Sequence, residues 1–177
     1  MSGAGTRPDG AGAAGSPRRA WTRQLPAPHL APVYRLVAAL GEPLQVGRTA
    51  SGLRRVVPLT EGTFEGPEIA GRLAAGGSAD WQMALDDGTA LADLRYTLET
   101  DTGSLLYVHG RGVRHGSPEV LARLARGEDV DAGDYTFRVS VRIETGDPAL
   151  DWLNKGVFVA VGGRQPGRVI YETYLVK

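Results

Sequence analysis

Five carboxylates lie in or beside segments that alternate like β-strands: Glu65, Asp80, Asp93, Glu99 and Glu144. A carboxylate held inside a mostly apolar barrel has a raised pKa and can serve as a general acid or base. An arginine in the same site would bind a carboxylate or enolate oxygen, or keep an acid ionised. The chemistry these types support is proton transfer: isomerisation, cyclisation, hydration or dehydration of a carbonyl or aromatic metabolite. Asp93 and Glu65 are the candidate acid/base groups, and Arg95 or Arg138 the candidate oxyanion holder. Asp80, Trp81, Gln82, Tyr96, Tyr135, Arg138 and Trp152 are expected to contact the ligand, the aromatic rings as flat walls.

The same residues have a plainer reading. On a half-buried strand the polar face is normally the solvent face, so Asp93-Arg95-Thr97-Glu99 and Arg138-Ser140-Arg142-Glu144 would be exterior cross-strand ion pairs. Trp81, Tyr135 and Trp152 would then be ordinary core filling. The two readings differ in which way the 89–100 strand faces.

Other chemistries find little support. There is no cysteine, which excludes disulfides, thiol catalysis and cysteine-type zinc sites and suits a cytoplasmic location. His29, His109 and His115 do not converge; the last two flank a stretch without helix or strand logic, read as a surface loop, so no metal is expected. No Gly-x-Ser-x-Gly elbow occurs. Gly110-Arg111-Gly112 continues with the wrong spacing for a dinucleotide fingerprint, and no phosphate loop is present, so no cofactor is expected. Lysine plus arginine equals aspartate plus glutamate, 20 each, so nothing points to nucleic acid. Zero net charge mildly favours self-association, which makes a homodimer one expected assembly. No apolar run nears the roughly 18 residues of a membrane helix. Arg18-Arg19 is not followed by the apolar segment of an export signal.

The elements that must position these residues are strands. Residues 1–28 are rich in Gly, Ala, Pro and Arg and cannot repay the entropy of ordering, so a disordered tail is expected, with Trp21 and Leu25 as weak docking residues. Residues 29–177 form one domain. Strands are expected at 32–40, 44–46, 53–59, 69–73, 79–85, 89–100, 104–109, 134–145, 155–161 and 168–176. Pro58 marks a strand edge or bulge, and Glu61 to Pro67 a turn or bulge that aims Phe64 and Glu65. Asp86-Asp87-Gly88 is a hairpin turn. In 89–100, Ala92, Leu94, Tyr96 and Leu98 share one face. One helix is expected at 117–126, capped by Ser117, begun by Pro118 and stopped by Gly127. About eight to ten strands with one short helix argue for an all-β domain: an antiparallel sheet closed into a barrel, or folded as a sandwich.

Several separated words in order resemble one family. They are Glu61-Gly62-Thr63-Phe64-Glu65-Gly66-Pro67, Ala79-Asp80-Trp81-Gln82, Asp93-Leu94-Arg95-Tyr96-Thr97-Leu98-Glu99-Thr100 with Asp101-Thr102-Gly103, Tyr135-Thr136-Phe137-Arg138, and Asp151-Trp152-Leu153-Asn154. Over residues 31–177 the chain resembles the DUF3237 family, also called UPF0311. The resemblance implies a small closed antiparallel β-barrel, bacterial or fungal, often encoded beside metabolic enzymes, with no agreed catalytic residues and no cofactor. It specifies Asp93, Arg95 and Tyr96 by identity, which favours an inward-facing role for some of them. Asp101-Thr102-Gly103 departs from the family's usual Asp-Asp-Gly, and Val139-Ser140-Val141 from its frequent Thr and Pro. The favoured function is a cofactor-independent isomerase, cyclase or lyase acting on a small-molecule ligand. The alternatives are a non-catalytic carrier or stabilising barrel for a hydrophobic metabolite, and an accessory subunit docking on an enzyme.

Overall fold

The computed structural model describes residues 25–177, and the sequence reading of the tail falls largely outside them. Strand β1 (Leu30–Leu40) pairs with β11 (Arg168–Val176) on one side and β3 (Gly52–Glu65) on the other. From β11 the ladder runs antiparallel through β10 (Phe158–Gln165), β9 (Tyr135–Thr145), β8 (Leu105–Gly116) and β7 (Ala90–Thr100). Three short pieces, β4 (Gly71–Leu73), β5 (Ala79–Asp80) and β6 (Met83–Ala84), bridge β7 to β3. The bridge between β1 and β3 closes an antiparallel barrel of eight staves, the closed alternative of the two that the strand spacing allows and the one the family resemblance implies. β2 (Leu44–Thr49) pairs only with β3 and projects as a hairpin from the rim. Closure removes the unpaired edges that an open sheet of this size would present.

Alternation sets the core. Along β7, Ala90, Ala92, Leu94, Tyr96, Leu98 and Thr100 are buried, while Leu91, Asp93, Arg95, Thr97 and Glu99 look outward. β9 buries Tyr135, Phe137, Val139 and Ile143. Fully burying a side chain such as Leu36 or Leu98 stabilises the fold by about 2 kcal/mol each. Gly162 faces inward because Phe137 occupies its side-chain space: a Cβ there would lie 2.4 Å from the ring. Phe137 in turn packs edge-on against Tyr171, with ring centroids 5.6 Å apart.

The helix α1 (Pro118–Ala125) forms where its signals stand. Ser117 accepts the Val120 N–H at 3.3 Å, and Pro118 occupies the first turn. Gly127, at φ +75°, allows the Glu128 N–H to reach the Arg123 carbonyl at 3.1 Å and end the helix. Leu121 and Leu124 join the core at one end of the barrel. At the other end, a 3-10 turn (Pro148–Leu150) and a single helical turn α2 (Trp152–Lys155) bury Leu153.

Three local expectations change. The segment 110–116 is not a surface loop: β8 runs unbroken to Gly116, paired with β7 and β9. Gly110 and Gly112 conceal this by carrying no side chain on the inner face, where Val139 fills their space. β3 passes through Pro58 and reaches Glu65, taking up an extra residue between Leu59 and Glu61 as a bulge. The expected strand at 79–85 divides into β5 and β6, separated by Trp81 and Gln82.

Candidate functional site

Antiparallel order fixes which residues share an end of the barrel. β3, β7, β9 and β11 begin where β1, β8 and β10 end, and α1 follows β8 at that same end. Arg55 near the start of β3, Arg114 near the end of β8, Arg164 near the end of β10 and Tyr135 at the start of β9 therefore meet there. Arg55 lies on the face of Val57 and Leu59, Arg114 on that of Leu106 and Val108, and Arg164 on that of Phe158 and Ala160, all inward. β5 and the residues after it add Asp80 and Gln82, both buried.

These groups form a polar cluster at one end of a mostly apolar interior. Gln82 stands at its centre: Nε2 donates to Asp80 Oδ2 at 2.8 Å, and Oε1 accepts from Arg55 Nε at 2.8 Å and from Arg55 Nη2. Asp80 Oδ1 accepts the backbone N–H of Asp93 at 3.0 Å. Burial pushes the Asp80 carboxyl pKa up; the Asp93 N–H, Gln82, Arg114 and Arg55 oppose that rise only in part. Burial also lowers the arginines, and Arg114, repelled by Arg164 and Arg55 as well, falls to about 10 and stays charged at neutral pH. Tyr171 lies close enough to feel Asp80, Arg164 and Arg114, and burial raises its phenol well above the usual range. The Tyr135 hydroxyl accepts the Arg164 backbone N–H at 2.7 Å.

Arg114 and Arg164 differ from Arg55. Each has a fully buried Nε with no hydrogen-bond partner, and neither guanidinium makes an ion pair among the described residues. A cleft of about 440 Å³ between the loop after α1 (Asp129, Val130, Asp131, Ala132) and the end of β10 reaches Arg164.

The sequence-predicted residues separate into three groups. Asp80, Gln82 and Tyr135 join the arginine cluster. Asp93, Arg95, Trp81 and Arg138 do not: Asp93 and Arg95 are on the outer face of β7, because their inward neighbours are Ala92, Leu94 and Tyr96. There Asp93 pairs with Arg95 at 3.2 Å and His109 at 3.1 Å, and Arg95 lies 5.3 Å over the Trp81 ring. Arg138 is exposed and donates to the Phe137 carbonyl at 3.0 Å. Glu65 and Trp152 sit at the opposite end. Glu65 borders a groove of about 250 Å³ with Tyr34, Arg35, Glu172 and Tyr174, and Trp152 packs on Phe158. Tyr96 lies between the ends, its hydroxyl 3.1 Å from that of Tyr34 and its ring stacked on Tyr171. Arg55, Arg114 and Arg164 are absent from the sequence candidates. The signal that finds them is the strand alternation carried on through Gly110 and Gly112 to Arg114, and through Gly162 to Arg164.

A closed antiparallel barrel with one charged inner end defines the class of protein. The family model described as "Protein of unknown function (DUF3237)" matches residues 28–176, and the chain belongs to that family. A UPF0311 protein of Rhodopseudomonas palustris is 34% identical over 144 residues, covering 81% of this chain and 94% of that protein. The crystal structure of a conserved R. palustris protein of unknown function superposes with a TM-score of 0.82 at 32% identity, covering 86% of this chain and all of that one. A β-barrel-like protein of Acinetobacter baumannii gives a TM-score of 0.76 at 40% identity, covering 87% and 99%. An enzyme from Penicillium herquei shares the fold alone, with a TM-score of 0.65 at 16% identity over 89% of this chain and all of that one. No helix among the described residues is long and apolar enough to cross a membrane, and no three His, Cys, Asp or Glu side chains among them cluster as metal ligands.

Proposed function

We propose that this barrel is a cofactor-independent enzyme that moves a proton on a small carbonyl or aromatic metabolite at its arginine-lined end. The observation that supports it is a buried carboxylate, Asp80, with three inward arginines, Arg55, Arg114 and Arg164, close enough to act on its charge. Asp80 is the acid/base group: burial favours its neutral form, while the guanidiniums keep the ionised form within reach. Gln82 and the Asp93 N–H fix the carboxylate, so it enters the reaction already oriented. Charge developing on a substrate oxygen, as in an enolate, would be stabilised by guanidiniums in a site of low polarity. This reading transfers the catalytic role from Asp93, Glu65 and Arg95 to Asp80 and the arginines.

Deuterium exchange tests it without a known substrate. The full chain is incubated in D2O with a panel of enolisable keto acids and aryl ketone carboxylates, and mass spectrometry follows label uptake. Uptake by at least one compound that is lost in Asp80→Asn and kept in Asp93→Ala is expected. Binding of the panel without exchange in any member would contradict catalysis and leave a carrier.

A further inference from the structure

We infer that Arg114 and Arg164 hold the anionic groups of a planar aromatic dianion, while Arg55 is reserved for positioning Asp80 through Gln82. The division follows from hydrogen bonding. Arg55 spends Nε and Nη2 on Gln82 Oε1. Arg114, only 7% exposed, has no side-chain partner, and the same holds for Arg164 Nε. A buried guanidinium without an acceptor is costly, and two side by side repel one another. Such an arrangement is stable only because the barrel enforces it, and unfavourable clusters of this kind mark ligand sites.

The charge count gives the ligand class. Within the buried cluster three guanidiniums face one carboxyl group, Asp80, an excess of two positive charges when it is ionised. A ligand with two negative charges balances it. Tyr135, Phe137 and Tyr171 supply the aromatic surface next to the arginines, which suits a ring better than a branched chain. A cleft on the outer side of β10 and β11, lined by Asp129, Asp131, Gly163 and Ile170, opens beside Arg164. Of the carboxylates there, Asp131 is engaged by the Gly133 N–H at 2.7 Å. This inference rests on the arginine-lined end of the proposed function but not on its proton step. Phthalate bound without deuterium exchange anywhere would retire catalysis and keep the anion site.

The test is calorimetric titration of the full chain with phthalate, dimethyl phthalate and sulfate. Phthalate is expected to bind, its uncharged ester not at all, and sulfate more weakly. Arg114→Met should weaken phthalate on the order of tenfold or more and yet raise the Tm of the free protein, because an uncompensated buried charge is gone. Arg164→Gln should weaken phthalate likewise, and Arg142→Ala on the outer face should bind as the native chain does. Equal binding of acid and ester, or native affinity in both Arg114→Met and Arg164→Gln, would overturn the site. Sulfate binding as tightly as phthalate would overturn the aromatic assignment. A lowered Tm in Arg114→Met would mark a structural arginine and contradict the division of roles.

Discussion

Asp93 gives its backbone N–H to Asp80 Oδ1 at 3.0 Å, while its own carboxylate points out of the barrel toward His109. One residue thus serves the interior by its main chain and the surface by its side chain. The side chain at position 93 and the chemistry proposed at Asp80 are separable by mutation.

Asp93→Ala keeps that N–H and loses only an outer pair with Arg95 and His109. The carboxylate is partly exposed, so the pair is screened, and a loss of about 1 kcal/mol is expected. Urea unfolding measures it. Phthalate affinity should not change; a tenfold loss would return the site to the outer face.

Asp80 should leave a signature in the pH dependence of stability. Burial raises its folded pKa above the ordinary 3.8, so the folded chain holds this proton at pH values where the unfolded chain has released it. Its contribution is therefore fully present below 3.8 and is lost as pH rises through the folded value. The stability difference between native protein and Asp80→Asn should shift against the native protein as pH rises above 4 or so. Parallel pH profiles from chemical denaturation would refute the assignment.

Gln82 ties Arg55 to Asp80, so the three should act as a unit. Gln82→Leu leaves two buried charged groups short of partners and should cost about 3 kcal/mol. A double-mutant cycle between Arg55 and Gln82 should return a coupling of about 1.5 to 3 kcal/mol. Additive effects would mean that the contact carries no energy.

Gly162 tests the inner wall. Its Cβ position is 2.4 Å from the Phe137 ring, so Gly162→Ala should lower stability by about 1 to 3 kcal/mol. Phe137→Leu removes the ring atoms in conflict, so the double variant should lose less than the sum of the two single losses, read from thermal unfolding.

The barrel was legible because alternation in 89–100 and 134–145 is strict, and because Asp86-Asp87-Gly88 and Ser117-Pro118 carry their own turn and cap chemistry. The site was half legible. Asp80, Gln82 and Tyr135 stand in recognisable words, but Asp93 and Arg95 stand in one too, and a word does not say which face it occupies. Alternation does: Ala92, Leu94 and Tyr96 claim the inner face, so their neighbours are outside. Arg114 and Arg164 escaped for a related reason. Glycines at 110, 112 and 162 interrupt the apolar pattern, so local pattern ends both strands short of the arginines that complete it. Pairing across the barrel, which no local pattern contains, brings Arg55, Arg114 and Arg164 together.

The most direct measurement is the arginine Nε–H region of a 1H–15N spectrum recorded as phthalate is added to the native chain. The signals of Arg114 and Arg164 are expected to move together and saturate, while that of Arg95, stacked on Trp81 outside the barrel, stays in place. Movement confined to Arg95, or none at Arg114 and Arg164, would contradict the anion site.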